Sequence, residues 1–255
     1  MVDCLESQRI KEMLKYSELC PTVLECASST NTQLRELAEK GAPEGMLLIT
    51  DYQTAGRGRH GRNFFSPKGT GLYMSLLLRP TFGLEQATLL TTACAVAAAE
   101  ALETLDISVG IKWVNDLFLN GRKVAGILVE AIQSGIIVGI GFNLYPPEGG
   151  FPSEISEIAT AIFEKEEGGT KNRLAAEWAN RFWNEYQNLS ADSCLIRYRE
   201  RSILNDSPIV IIRGEEQIPA IARGINDRFE LIAELSDGKC LTLSSGEVRI
   251  RVGNN

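Results

Sequence analysis

Two apolar runs, Met46–Thr50 (MLLIT) and Gly71–Leu78 (GLYMSLLL), bracket a stretch that fits neither strand nor helix. That stretch, Asp51–Ser66, reads DYQTAGRGRHGRNFFS and interleaves Gly56, Gly58 and Gly61 with Arg57, Arg59 and Arg62. Glycine lets main-chain N–H groups approach a ligand closely. Arginine adds a permanently charged fork that matches carboxylates and phosphates. Short basic runs are commonly solvated turns, but a long Gly-rich loop between two buried strands is more often functional. Gly56-x-Gly58-x-x-Gly61 also fits the dinucleotide-binding fingerprint, which requires a helix opening inside the glycines and a carboxylate ending the next strand. Pro67, Gly69 and Gly71 follow instead, and the next strand runs into Arg79-Pro80, so that reading fails on context.

The charge balance sharpens the point. The chain carries 26 Lys and Arg against 33 Asp and Glu, a net charge of −7, which argues against a general nucleic-acid surface. Local arginines in an acidic chain point to a small anionic ligand. Cys4, Cys20, Cys26, Cys94, Cys194 and Cys240 are scattered without a CxxC pair, as small hydrophobes are in a reducing compartment. His60 is the single histidine, and no metal-ligand spacing is present. MVDCLESQRIKEM lacks the apolar run of a signal peptide, and the most apolar helical stretch, around Leu89–Leu102, is too short to span a bilayer. A cytoplasmic protein away from the membrane is the expectation.

Along the chain, residues 5–19 read as a short helix and Thr22–Ala27 as a strand. Ser28-Ser29-Thr30-Asn31 opens the next helix, with Thr30-x-x-Gln33 spaced as a capping box and Gly41 as its stop. Residues 84–105 read as an alanine-rich helix. A meander follows: 110–119, an Asn120-Gly121 type I′ turn, 123–131, a turn at 133–135 and 136–144. Alternation along 123–131 places Lys123, Ala125, Ile127 and Val129 on one face. Lys123 then either snorkels to water or aims a cation into a pocket, and spacing leaves both open. An amphipathic helix over 171–189 and a shorter one over 192–201 complete this part. Five short runs beyond Asn205, separated by turn residues, predict a small β-barrel. The expected boundary divides 1–204 from 205–255.

With SSTN (28–31), DYQTAGRGRHGRNFFSP (51–67), KWVNDL (112–117), RKVAGILVE (122–130) and GIGFNL (139–144) in this order, the chain resembles the biotin protein ligases. SGEVRIR (245–251) is similar to the end of that family's SH3-like domain. The resemblance implies an α+β fold: a mixed sheet flanked by helices, of the class II synthetase-like kind, with a small C-terminal SH3-like barrel. It implies ATP-dependent activation of biotin as biotinyl-5′-AMP, then transfer to a lysine of the biotin carboxyl carrier protein of acetyl-CoA carboxylase or a similar enzyme, with Mg²⁺ accompanying ATP. Lipoate ligases share the fold class but not the loop sequence.

Carried over by motif, Ser29, Thr30, Asn31 and Gln53 are implied to hold the biotin ring, and Gly56, Arg57 and Gly126 to line its pocket. Lys123 is implied to bridge the biotin carboxylate and α-phosphate. Arg59 and Arg62 would serve the adenylate phosphate or loop closure, Phe64 the adenine and Asn143 the nucleotide. Lys112, Asn115 and Asp116 would serve ATP, Asp116 also as a Mg²⁺ ligand. The catalytic set is therefore Lys123, Arg59, Lys112 and Asp116. Val114 stands where the family has proline, and Phe64 where it often has tryptophan. Residues 1–21 are too few for the DNA-binding domain of the family's repressors, so a ligase that does not bind DNA is expected. The family includes monomers and sheet-edge dimers, so a homodimer is among the expected states.

Overall fold

The fold is taken from a computed structural model, which describes residues 3–81, 87–244 and 246–250. Seven strands form the larger sheet: β1 (Cys20–Val23), β2 (Met46–Thr50), β3 (Gly71–Leu78), β4 (Gly110–Lys112), β5 (Asp116–Leu119), β6 (Arg122–Ile132) and β7 (Gly135–Asn143). Their order is β1-β2-β3-β7-β6-β5-β4. The β1–β2 pair is parallel and every other pair is antiparallel. β3 is buried along its whole length, as a near-continuous apolar run predicts for a strand covered on both faces. Asn120 and Gly121 take φ of +50° and +77°, the left-handed pair a type I′ turn needs between β5 and β6.

Helix α2 (Thr30–Glu39) covers one face, packing Leu34 and Ala38 on Leu48, Leu77 and Ile137. Beneath the other face lie α3 (Ala87–Glu103) and α4 (Thr170–Gln187), joined by α5 (Ala191–Arg201). Alanines at 93, 95, 97, 98, 99 and 101 are all fully buried. Small side chains let two helix backbones approach, and larger ones from α4, including stacked Trp178 and Phe182 (5.5 Å, 11°), fill the remaining space. The predicted start of α3 lies outside the described residues; the described helix ends at Glu103 rather than 105.

The first residues are stitched to α4. Helix α1 (Ser7–Met13) buries Ile10. Asp3 accepts from the Gly169 and Lys171 amides at the α4 start, where a carboxylate meets the positive end of the helix dipole. It also accepts from the Tyr145 hydroxyl at 2.7 Å. Lys171, 1% exposed, reaches Asp51 at 2.9 Å and so ties α4 to the first residue of the arginine–glycine stretch. No helix among the described residues is long and apolar enough to cross a membrane.

A second, antiparallel sheet is built from β8 (Ser207–Arg213), β9 (Glu216–Ile225), β10 (Leu231–Leu235), β11 (Cys240–Leu243) and β12 (Glu247–Ile250), in the order β11-β10-β9-β8-β12. Its apolar face continues the main core through Ile209, Ala222 and Leu231. Phe229 is the wedge between the sheets. Its carbonyl accepts from the Trp113 indole at 2.9 Å, and its ring meets Tyr198 edge-on. Tyr198 in turn donates to the Val114 carbonyl. The turn joining β4 to β5, which carries a cis bond between Trp113 and Val114, is thus held from beneath by the C-terminal sheet.

Two sequence expectations are corrected here. Ser29, not Thr30, is the N-cap of α2, and no side chain caps the helix. The Thr30 side chain is drawn inward by Ser75 on β3 and Gln53 in the loop beyond β2. The alternation along β6 also breaks: Phe118 pairs with Lys123 and Leu117 with Ala125, leaving Val124 as an extra residue. This β-bulge moves Lys123 off the Ala125/Ile127 face and onto the face of Gly126 and Leu128.

The thiols provide a check on the packing. Cys94 and Cys194 are buried, and burial pushes the Cys194 thiol up to about 11 and that of Cys94 higher still. Cys4, Cys20, Cys26 and Cys240 are exposed. A disulfide exchange reagent at neutral pH is expected to titrate those four in the folded protein, the other two reacting only after denaturant is added.

Candidate active site

Cross-strand registry turns three glycines into a trough. On the face toward α2, one row across the sheet is Thr50, Tyr73, Gly141 and Gly126, and the next is Leu48, Ser75, Gly139 and Leu128. A Cβ built at Gly139 would lie 2.1 Å from Asn31 Oδ1, and one at Gly141 would lie 3.0 Å from the Phe64 ring. Bare backbone at these points is what lets side chains from α2 and the loop come down onto the sheet.

The α2 end of the trough is polar, and Thr30, Asn31, Gln53 and Ser75 are joined there in one hydrogen-bonded network. Ser29, Thr30 and Asn31 are each under 5% exposed. The Gln53 carbonyl oxygen accepts from the Thr30 amide at 2.9 Å, while its NH₂ donates to Ser66 Oγ at 3.1 Å. Ser75 Oγ lies 2.6 Å from Asn31 Oδ1, to which it donates, and 2.7 Å from Thr30 Oγ1. Asn31 Nδ2 donates to the Leu128 carbonyl and to Glu130. Buried polar groups so satisfied are held rigidly, since releasing any partner strands another in a low dielectric. Next to them the Tyr73 phenol is pushed well above its usual range by burial.

At the opposite end the bulge aims Lys123 Nζ along the trough. It meets Asp116 Oδ1 at 2.7 Å and lies 5.7 Å from the Phe64 ring centre. Arg59 donates to Asn115 Oδ1 at 2.9 Å, and Asn115 is itself fixed by donating to the Ile127 carbonyl. The loop therefore bridges both ends: Arg57 reaches Glu130 and Arg59 reaches Asn115. Arg59–Gly61 makes a single 3-10 turn with His60 at φ +55°. A Cβ at Gly56 would strike the Phe64 carbonyl at 2.3 Å, so glycine there lets the two arms of the loop close on each other.

Of the residues singled out in the sequence, Ser29, Thr30, Asn31, Gln53, Arg57, Phe64 and Gly126 line one cavity of about 30 Å³. Gly56 lies directly against it through Gln53 and Phe64. Phe64 fills the trough itself, over Gly126 and Gly141 and edge-on to Tyr73. Lys123 and Asp116 stand beside this cavity, against Phe64 and Gly126, whereas Arg59, held by Asn115, lines a separate cavity of about 160 Å³ with Val114, Ile127 and Val129. Asn143 ends the floor of β7 opposite Gly71, and its carbonyl accepts from Ile162, tying down the segment beyond. Lys112 stands on the neighbouring β4 with its ammonium 5.4 Å from the Phe118 ring centre. Arg62 closes the 3-10 turn, its carbonyl accepting from Gly58. Sequence reasoning missed Tyr73, Ser75, Leu128, Glu130, Gly139 and Gly141. The last two were legible as the glycines of GIGFNL, whose spacing of two puts both on one strand face.

A model of the biotin/lipoate A/B protein ligase family matches residues 23–143. The chain is 32% identical over 231 residues to the biotin–[acetyl-CoA-carboxylase] ligase of Mycobacterium tuberculosis, covering 86% of this chain and 85% of that one. With the bifunctional ligase/repressor BirA of Bacillus subtilis it shares 43% identity over 141 residues, which span 53% of this chain and only 43% of the relative. In three dimensions it resembles the biotin protein ligase from Aquifex aeolicus, solved in complex with biotin and ATP, with a TM-score of 0.77 at 25% identity over 91% of this chain and 99% of that one. Trough, loop and these likenesses agree: the chain belongs to the biotin protein ligase family.

Proposed function

We propose that this protein activates biotin with ATP as biotinyl-5′-AMP and transfers the biotinyl group to a lysine of a biotin carboxyl carrier protein. The observation that carries the reading is Lys123, turned by the β6 bulge onto the glycine trough whose far end is a wired polar pocket. A ligand with an uncharged polar ring and a carboxylate at the end of an apolar chain matches that polarity. In this reading Ser29, Thr30, Asn31 and Gln53 hold the ring, Gly56 and Arg57 close over it, and the chain lies along Gly126.

In the first step a biotin carboxylate oxygen attacks the α-phosphorus of ATP, and the bond from that phosphorus to the β-phosphate bridge breaks, releasing pyrophosphate. Two anions meet at the start, so the reaction depends on cations aimed where charge builds. Lys123 would turn from Asp116 to the joined carboxylate and phosphate, with Arg59, Arg62 and Lys112 facing the phosphates. Phe64 would leave the trough and cover the adenylate, and Asn115 and Asn143 would hold the nucleotide. In the second step the carrier's lysine amine attacks the acyl carbon and AMP leaves. Until then the mixed anhydride needs shelter from water, which the loop supplies by closing.

Mg²⁺ would neutralise phosphate charge when bound. Among the described residues no group of three His, Cys, Asp or Glu could hold a metal. Mg²⁺ carried by ATP takes most of its oxygens from phosphates and water, so the single carboxylate of Asp116 fits that role. We further assign residues 1–204 to the ligand-binding domain and 205–255 to an SH3-like domain that supports it and docks the carrier. Four exposed thiols suit a reducing cytoplasm.

Acid-dependent exchange of pyrophosphate into ATP tests the reading directly. Biotin is expected to support exchange and labelled biotin to reach a carrier domain only with ATP. Exchange with lipoate or octanoate instead would redirect the assignment to another acyl acid. Lys123→Met removes the charge and keeps the stem; single-turnover adenylation is expected to fall about 10²–10³-fold while thermal unfolding is little changed. Gly139→Ala drives a methyl group into the Asn31 amide. Displacing one such hydrogen bond costs about 1–2 kcal/mol, so biotin affinity is expected to drop roughly tenfold in calorimetric titration.

A further inference from the structure

At the end of the trough away from Lys123 stands a second ionic cluster, centred on a carboxylate, Glu130, to which the proposed chemistry gives no part. Glu130 lies on the same face of β6 as Gly126 and Leu128, two residues further along, and pairs across to Ile137. Its side chain is only 14% exposed. It accepts bidentately from Arg57, at 3.0 Å to each oxygen. Arg35 of α2 donates to Oε1 at 2.9 Å and Asn31 to Oε2 at 2.9 Å. Without such donors a carboxylate this covered would be costly to bury.

The arrangement is lopsided. Asn31 and Arg35 belong to a helix packed on the sheet, while Arg57 belongs to the loop and is 43% exposed. Glu130 therefore fastens the loop to fixed structure at the ring end. Glu130 is not among the residues lining the cavity, whereas Arg57 and Asn31 are. Any effect it has on a ligand must pass through them. A further fastening, Arg59 on Asn115, does not involve Glu130.

We propose that Glu130 is a positioning residue that latches the arginine–glycine loop over the ring end of the pocket. It governs how firmly the acid is held, not how fast the acid is adenylated. The identity of the acid rests on the ligase reading; the latch itself does not.

Three readouts on the full-length chain test it. They are tryptic cleavage after Arg59 and Arg62 without ligand, biotin affinity, and single-turnover adenylation at saturating biotin and ATP. In Glu130→Gln, which keeps the volume and removes the charge, cleavage is expected about tenfold faster and biotin affinity about tenfold weaker, with adenylation within about threefold of the parent. Glu130→Asp, restoring the charge one methylene short, is expected to fall between. Unchanged cleavage in a folded variant overturns the latch, as does a loss of adenylation rate with affinity unchanged. Arg57→Lys, which keeps the charge and loses the fork on an exposed side chain, decides by the cleavage readout alone if Glu130→Gln does not fold: faster cleavage than the parent supports the latch and unchanged cleavage overturns it. If the parent binds no biotin, the ligase reading fails while the cleavage arm still decides the latch.

Discussion

Backbone lies bare at Gly126, Gly139 and Gly141, and both neighbours of the trough depend on that. The Asn31 amide can reach Ser75, Leu128 and Glu130 only because position 139 carries no Cβ. The Phe64 ring can come down only because 126 and 141 carry none. A side chain at any of these positions would lift a helix or a loop away from the sheet and open the hydrogen-bonded pocket to water. The buried donors and acceptors would then trade fixed partners for mobile ones, and the orientation they impose would be lost.

Much of this was readable in advance because it rests on local chemistry. The apolar runs of β2 and β3, the Asn120-Gly121 turn and the amphipathic α4 follow from periodicity and turn preference. What was not readable is where local rules yield to tertiary contact. The Thr30 spacing looks like a capping box, yet its hydroxyl is worth more inside, where Ser75 and Gln53 already need partners. Lys123 reads as lying on the Ala125 face until Val124 is pushed out of register, which only the pairing with β5 reveals. Glu130 and its two arginines come from three segments far apart in the chain, and no spacing announces such a meeting.

The C-terminal sheet shows a related limit. Its strands are legible as short runs between turns, but their purpose near the site is not. Phe229 sits in a five-residue connection with φ of +59°, and its carbonyl alone holds the Trp113 indole. Tyr198 holds Val114 from the same side. The residues that follow, Asn115 and Asp116, are presented to Arg59 and Lys123 from a support built on α5 and the C-terminal sheet. The second sheet is thereby part of the foundation of the site.

The phenyl ring over Gly126 and Gly141 also bears on what occupancy of the trough would feel like thermodynamically. The floor beneath it is already covered by an apolar side chain. An incoming apolar chain would exchange one apolar occupant for another, and most of the water shed would come from its own surface. Where the displaced Phe64 comes to rest then decides the sign of the calorimetric signature: in solvent it offsets the heat-capacity loss of the ligand's burial, and against the ligand it deepens it.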